Sequence, residues 1–195
     1  MSCAKDNDVA VISTPFGDMV VELYPEVAPY HVENFQILAN EGYFDGTTFH
    51  RVVPGFMIQG GDPNSKDNDR MNDGTGGRAG KYFGLGREDD PDSWLVPAEF
   101  NDSLHVRGTL SMARTRNPNS ASSQFFICQA PQPALDHQYT VFGKVISGMD
   151  AIDQIANANT PKRENRMYQG PDGDNPFEKV EMSVKIMKQS EALKD

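Results

Sequence analysis

The chain has 195 residues, of which 37% are hydrophobic and 24% are charged, so it can bury an apolar core and its length suits a single domain. Its 18 basic and 28 acidic residues give a formal net charge of −10, which argues against nucleic acids and anionic membrane surfaces as partners. No apolar run reaches the length of about 18 residues that a transmembrane helix needs, so no membrane span is predicted.

The N-terminal segment, MSCAKDND, has no apolar stretch and soon becomes acidic. We therefore expect a flexible N-terminus over residues 1–8, no secretory signal and a cytoplasmic location. Cys3 is expected to be a free thiol; the alternative is an exported protein whose Cys3 is lipidated after removal of a signal. Cys128 lies in the apolar run FFIC, which predicts a buried and unreactive thiol.

Short apolar and β-branched runs alternate with Gly, Pro, Asn and Asp along the chain. They predict strands over Val9–Ser13, Met19–Tyr24, Phe56–Gln59, Thr109–Met112, Gln124–Cys128, Thr140–Val145 and Lys179–Met187. Helical spacing of apolar residues appears only twice and predicts helices over Pro29–Tyr43 and Met149–Ala158. Many short strands with two isolated helices favour a mainly β barrel or sandwich over a parallel sheet.

Closing an eight-stranded antiparallel sheet into a barrel leaves no exposed edge, and two amphipathic helices can cover its open ends. We therefore expect one domain over residues 9–188. Three polar stretches, at about residues 64–73, 80–101 and 160–176, have too few apolar residues for cores of their own and are predicted to be inserted loops. Residues 189–195 are predicted to be a frayed tail.

Several familiar chemistries are not supported by the residue spacing. Asp67, Asp69 and Asp73 resemble the start of a calcium-binding loop, but Met71 and Gly80 stand where oxygen ligands belong. The four histidines show no metalloprotease spacing, and the chain has neither a CxxC pair nor a GxSxG motif. The glycine-rich segments lack the strand-to-helix setting of a phosphate loop. No metal and no cofactor are predicted.

The run FHRVVPGFMIQGGDP, from Phe49 to Pro63, and the later run SSQFFICQ carry a different set of groups. Together they offer one cation, two amides and four large apolar side chains, namely Arg51, Gln59, Gln124, Phe56, Met57, Phe125 and Phe126. Such groups can hold an apolar ring and present a cation to a lone pair. They suit a reaction in which no covalent bond breaks, such as rotation about a peptide bond. The alternative is that the apolar residues belong to the core and the arginine is a surface charge.

These runs resemble the cyclophilin family of peptidyl-prolyl cis–trans isomerases. The resemblance extends to DGTGG at residues 73–77, GTLSMA at residues 108–113, SSQFFI at residues 122–127 and the LD…VFGKV pattern at residues 135–145. It implies a closed eight-stranded β-barrel capped by two α-helices. It also implies an isomerase that acts on proline-containing peptides and on unfolded or folding proteins, as a monomer.

The resemblance further implies roles for individual residues. The catalytic residues would be Arg51, Phe56 and Gln59. Substrate would be bound by the walls and rim of a pocket, by the strand end that pairs with the backbone ahead of the proline, and by the adjoining groove. The residues implied at these places are Met57, Gly74, Ala113, Arg114, Gln124, Phe126, Leu135 and Tyr139.

Three positions depart from the best-known eukaryotic pattern of this family. Arg114 stands where an Asn is usual, and Tyr139 stands where a His is common. Ala134 replaces a Trp associated with tight cyclosporin binding, so weak cyclosporin binding is expected. Two other functions remain open at this point: a scaffold that binds proline segments without turnover, and a hydrolase with Cys128 or Ser123 as its nucleophile.

Overall fold

In the computed structural model, which describes residues 6–194, the chain folds around one antiparallel β-sheet. Its nine strands are β1 (Asp8–Thr14), β2 (Gly17–Leu23), β3 (Thr47–Thr48), β4 (Arg51–Val53), β5 (Met57–Gly60), β6 (Thr109–Met112), β7 (Phe125–Cys128), β8 (Val141–Ser147) and β9 (Glu181–Lys188). Their order across the sheet is β3-β9-β1-β2-β8-β6-β7-β5-β4.

The two ends of the sheet come from the same stretch of chain, because β3 and β4 are separated only by Phe49 and His50. The sheet therefore curls round until its edges meet at this stretch. The mainly β, antiparallel architecture predicted from the sequence is confirmed. The sheet has nine strands instead of the expected eight. The stretch around Phe49 and His50 contributes two short strands, β3 and β4.

The main apolar core lies on the concave face of the sheet and is covered by two helices, α1 (Pro29–Asn40) and α2 (Met149–Ala156). Phe35 of α1 packs on Phe125 and Phe142 of the sheet at ring-centroid distances of 5.4 and 5.5 Å. Both predicted helices are confirmed, although each ends two or three residues early. Gly42, with φ +68°, reverses the chain just after α1 and prevents the helix from continuing.

The seven predicted strands are all present within two residues of their expected ends. Sequence reasoning missed β3 and β4, which have only two and three residues and give no readable periodicity. It also missed two single-turn helices, α3 (Pro161–Glu164) and α4 (Gln189–Ala192).

The two ends of the described chain contact each other. Asp6 accepts hydrogen bonds from the backbone N–H and hydroxyl of Ser190 at 3.0 and 2.7 Å. Ala192 of α4 packs against a small apolar cluster formed by Val9, Val11 and Val20. Contacts therefore join the two termini, and the flexibility of residues 1–8 and the fraying of residues 189–195 stay predictions. Residues 1–5, with Cys3, and residue 195 lie outside the described residues.

The first and third predicted loops pack against each other. The Arg70 guanidinium donates to the carbonyls of Pro176 and Asn175 at 2.6 and 2.7 Å and to the Asp172 carboxylate at 3.2 Å. The backbone N–H of Val52, in β4, donates to the carbonyl of Asp174 at 2.8 Å. The loop of residues 160–176 is therefore fastened both to the loop of residues 64–73 and to the edge of the sheet.

The second loop is fixed on the other side of the molecule. The buried Asn34 of α1 accepts from the N–H of Gly80 and donates to the carbonyl of Ser122, both at 2.7 Å. Farther along, the Glu99 carboxylate accepts from the ring of His31 at 2.7 Å. In the part of the chain that the structure describes, no helix has the length and apolar character required to span a bilayer.

Candidate active site

A pocket of about 320 Å³ opens on the convex face of the sheet, opposite the main core. Cross-strand pairing places Arg51 of β4 beside Gln59 of β5, Gln59 beside Phe126 of β7, and Phe126 beside Ser111 of β6. These residues form one row across four strands. Side chains alternate between the two faces of a strand, so this row points away from the core. Phe125, the neighbour of Phe126 in β7, points into the core.

The Arg51 side chain lies at the rim of this pocket and is exposed. Its Nη1 donates to Oε1 of Gln59 at 3.2 Å, and its guanidinium carbon is 5.9 Å from the ring centroid of Phe56. Among residues 6–194, no carboxylate lies within 4.0 Å of this guanidinium. Since a guanidinium carries five N–H donors, most of them are available to a bound molecule.

A chain of amides positions the arginine. Gln59 donates from Nε2 to Oε1 of Gln124 at 3.0 Å, and Gln124 donates from Nε2 to the backbone carbonyl of Gly76 at 2.7 Å. The last link fixes which end of each amide is the donor. Oε1 of Gln59 is thereby left free to accept from Arg51.

The floor of the pocket is apolar. Met57 and Phe126 are buried, and Phe56, Ala113, Leu135 and Tyr139 pack against them in a cluster separate from the main core. The ring of Tyr139 meets the ring of Phe126 edge-on at 5.8 Å. Such a surface can exclude water from a bound apolar ring.

Behind the floor lies a buried Ser–His–Asp arrangement that the sequence did not reveal. The ring of His105 lies 3.0 Å from both the Asp136 carboxylate and the Ser111 hydroxyl, and it stacks on Phe126 at 6.0 Å. Ser111 is fully buried, and its hydroxyl donates to the carbonyl of Thr140 at 3.0 Å. It therefore supports the floor and cannot reach a substrate as a nucleophile.

The two nucleophiles considered from the sequence are also inaccessible. Cys128 is fully buried, and burial raises the pKa of its thiol to about 12, so the prediction of a buried thiol is confirmed. Ser123 is fully buried and donates its hydroxyl to the carbonyl of Gly61 at 2.7 Å. Both observations weigh against a hydrolase.

One wall of the pocket comes from the two fastened loops, and sequence reasoning did not identify its residues. They are Arg70, Asp73, Pro171, Asp172, Asp174 and Asn175. The Asn175 amide donates to the Asp73 carboxylate at 2.6 Å across the two loops. Pairs separated by about a hundred positions leave no local signal in the sequence.

A second pocket, of about 300 Å³, adjoins the first and shares Gln59, Gly74, Ala113 and Arg114 with it. One side of this pocket is the DGTGG segment. The buried Asp62 carboxylate accepts from the backbone N–H groups of Gly74 and Gly76 and so fixes that segment. Gly74 has φ +86°, a conformation that glycine adopts without strain.

The structure thus brings together the eleven site residues implied by the resemblance, whereas Phe125, which the sequence runs offered with them, lies in the main core. Ten of them line the first pocket: Arg51, Phe56, Met57, Gln59, Gly74, Ala113, Arg114, Phe126, Leu135 and Tyr139. Gln124 lines the second pocket and contacts the first through Gln59. Their roles in catalysis and binding stay predictions. Within residues 6–194, no cluster of three His, Cys, Asp or Glu side chains is arranged to hold a metal ion.

His50 also lines the first pocket, next to Arg51. Its side chain is buried, and among residues 6–194 neither ring nitrogen has a hydrogen-bond partner. Burial lowers the pKa of His50, although the nearby Asp62 carboxylate opposes this shift. Burial also lowers the pKa of His105. Both imidazoles therefore favour the neutral form in the folded state.

These shifts predict acid sensitivity. Below the ordinary histidine pKa of about 6.5, the unfolded chain binds protons that the folded chain resists, so the free energy of unfolding falls as the pH drops. We expect this fall in urea titrations between about pH 7.5 and about pH 5.5. A His50→Gln variant should show a shallower fall, with the remainder due to His105. An unchanged pH dependence in this variant would contradict the assignment.

The chain is similar to known proteins over most of its length. A family model described as cyclophilin type peptidyl-prolyl cis-trans isomerase/CLD matches residues 9–182. A probable peptidyl-prolyl cis-trans isomerase of Brucella suis is 43% identical over 171 residues, which cover 88% of this chain and 82% of the relative. A peptidyl-prolyl cis-trans isomerase of Schizosaccharomyces pombe is 42% identical over 151 residues, covering 76% of this chain and 85% of the relative.

A solved structure with a similar fold comes from the same family as these relatives. The fold is similar to that of a Cryptosporidium parvum cyclophilin type peptidyl-prolyl cis-trans isomerase crystallised in the presence of the dipeptide Ala-Pro. The TM-score is 0.74 and the sequence identity is 29%, with 92% of this chain and 98% of that chain covered.

Proposed function

Because the chain belongs to the family of cyclophilin-type peptidyl-prolyl cis–trans isomerases, we propose that Arg51 is the residue that accelerates rotation of an Xaa–Pro peptide bond. The protein is an isomerase, and no covalent intermediate is needed for its reaction. The observation that carries the proposal is an exposed guanidinium, without a carboxylate partner among the described residues, at the rim of an apolar pocket.

The proposed mechanism rests on the electronic change during rotation. Amide resonance sets a barrier of roughly 18–20 kcal/mol, and twisting the bond returns a lone pair to the prolyl nitrogen. A guanidinium directed at that nitrogen stabilises the twisted amide more than the planar one, and only such differential binding raises the rate. Arg51 suits this role because it remains charged and because Gln59 and Gln124 orient it.

The arginine cannot supply the whole effect alone. A charge-assisted hydrogen bond contributes about 1.5–3 kcal/mol net, whereas a hundred-thousandfold acceleration requires about 7 kcal/mol. The apolar floor of Met57, Phe126 and Leu135 supports the remainder. It excludes water around the arginine and holds the prolyl ring while the preceding carbonyl turns.

The test of this function is the cis-to-trans rate of a short Ala-Pro-containing peptide at catalytic amounts of protein. We expect an acceleration that continues over many turnovers. A folded protein that binds the peptide without raising its isomerisation rate would instead be a proline-binding scaffold, and the proposal would fail.

The amide chain gives a separate prediction. A Gln124→Ala variant loses the bonds to Gln59 and to Gly76 and so loosens Arg51. Since one neutral hydrogen bond contributes about 1 kcal/mol, kcat should fall about fivefold. A Gln36→Ala variant on α1 removes an amide that lines neither pocket and serves as the control. Equal kcat values in the two variants would show that the Gln59 and Gln124 amides do not position Arg51.

We further propose that the substrates are proline-containing segments of unfolded or folding proteins, and that the enzyme acts as a cytoplasmic monomer. Weak cyclosporin binding is also proposed, because the small side chain of Ala134 adjoins Leu135 where a large indole would be needed. Calorimetry with cyclosporin and an Ala134→Trp variant tests the last point, and tighter binding by the variant is expected.

A further inference from the structure

The charge distribution around the two pockets differs from that of the whole protein. The net charge of the chain is −10, yet the second pocket has only one charged residue, Arg114, among the described residues that line it. The remaining lining consists of glycines, small hydroxyl side chains, two amides and the apolar side chains of Leu95 and Ala113. An acidic group entering this pocket therefore meets a cation and no carboxylate.

The Arg114 side chain is held in place by neutral partners. Its Nε and Nη2 donate to the carbonyl of Gln138 at 3.0 and 2.7 Å, and its Nη1 donates to the carbonyl of Thr115 at 2.8 Å. Its guanidinium carbon lies 4.4 Å from the ring centroid of Tyr139. None of these partners neutralises the charge. No carboxylate of residues 6–194 lies within 4.0 Å of Arg114, and at least one N–H of Nη2 remains free to donate.

Two of the three acidic residues that line the first pocket are paired with other cations. Asp172 pairs with Arg70 at 3.2 Å, and Asp174 pairs with Lys162 at 2.9 Å. The third carboxylate, Asp73, accepts from the Asn175 amide on the wall formed by the two loops. Arg51, which also lines the first pocket, is a second cation without a carboxylate partner among the described residues.

Resting on the proposed function, we infer that Arg114 is a specificity-determining residue that selects substrates with an acidic side chain close to the proline. Arg114 lines both pockets, so a peptide whose proline fills the first pocket and whose neighbouring residues enter the second must pass it. A Glu or Asp on that side of the proline receives a charge-assisted hydrogen bond from an already ordered guanidinium, so little conformational entropy is lost.

The experiment compares kcat/KM for short peptides that contain a single proline. Each peptide carries Glu, Gln or Lys at one of the two positions before the proline or at one of the two positions after it. Gln is the neutral counterpart of Glu. We expect Glu to exceed Gln by about fivefold on one side of the proline, because one half-exposed charge-assisted hydrogen bond contributes about 1 kcal/mol. Lys should be the poorest residue at the same position. At about 0.15 M salt the screening length is about 8 Å, so the net charge of the whole protein contributes little to the difference.

Variants assign the preference to one residue. Arg114→Gln should reduce the Glu-to-Gln ratio to near one, and Arg114→Lys should retain part of it. Arg116→Gln is the matched control, because Arg116 is exposed and lines neither pocket. The inference would be overturned if the wild type had equal kcat/KM for the Glu and Gln peptides. It would also be overturned if the preference for Glu survived in Arg114→Gln. Failure of the wild type to accelerate any peptide would instead count against the proposed function, so the two failures are distinguishable.

Discussion

Replacement of Arg51 with alanine is expected to lower kcat/KM for an Xaa–Pro peptide by about 100-fold. Removing a donor aimed at charge that develops in a transition state typically costs about 2.7–4 kcal/mol, which corresponds to a factor of about 100 or more. The fold should be unaffected. Arg51 is an exposed residue of the short strand β4, where its side chain donates to Gln59 and lies beside the ring of Phe56.

An Arg51→Lys variant is the matched control for charge. Lysine keeps the positive charge but lacks the planar group that Gln59 orients, so we expect activity between that of wild type and Arg51→Ala. NMR exchange measurements on the peptide give the rates, and thermal unfolding verifies the fold. The mechanism would be refuted by an Arg51→Ala protein that has the melting temperature of the wild type and retains wild-type activity.

Truncation of Phe126 should have a comparably large effect for a different reason. Phe126 is 5% exposed and forms the pocket floor between the rings of His105 and Tyr139. A Phe126→Ala variant loses the surface that holds the prolyl ring, so KM should rise and kcat/KM should fall by about 100-fold. Loss of a buried phenyl ring should also reduce the free energy of unfolding by about 3–5 kcal/mol.

The neighbouring residue separates these two effects. Phe125 is fully buried in the main core on the opposite face of the same strand. Phe125→Ala should lose a similar free energy of unfolding but keep its KM when assayed well below its melting temperature. If alanine unfolds either protein, the corresponding leucine variants make the same comparison at smaller cost. Equal KM values for the Phe125 and Phe126 variants would show that Phe126 does not bind substrate.

Much of the candidate site could be predicted from the sequence because its parts are close together along the chain. Arg51 and Gln59 lie on adjacent strands of one hairpin, β4 and β5, within the Phe49–Pro63 run. The resemblance of this run to cyclophilins identified Arg51, Phe56, Met57 and Gln59 together, and the resemblance of the later runs identified the other site residues. The strands were predicted well for a similar reason, since short apolar runs bounded by Gly, Pro, Asn and Asp are local signals.

Local patterns could not assign the faces of β7. All four residues of the FFIC run are apolar, so the alternation that normally separates core from surface is absent. Only the pairing of β7 with β5 and β6 turns Phe126 toward the pocket and Phe125 toward the core. The predicted binding role of Phe126 therefore depended on family resemblance.

The sequence by itself determined the mainly β class, the two helices and the chemical groups available for an isomerase. The tertiary structure alone decided how distant groups meet. It joined Arg70 to Asp172, placed His105 and Ser111 behind Phe126, and left Arg114 as the one charged residue among the described lining of the second pocket. The physical reason is that hydrogen-bond partners and charge compensation depend on distances in space. Residues about a hundred positions apart become neighbours only when the sheet curls and its loops pack together.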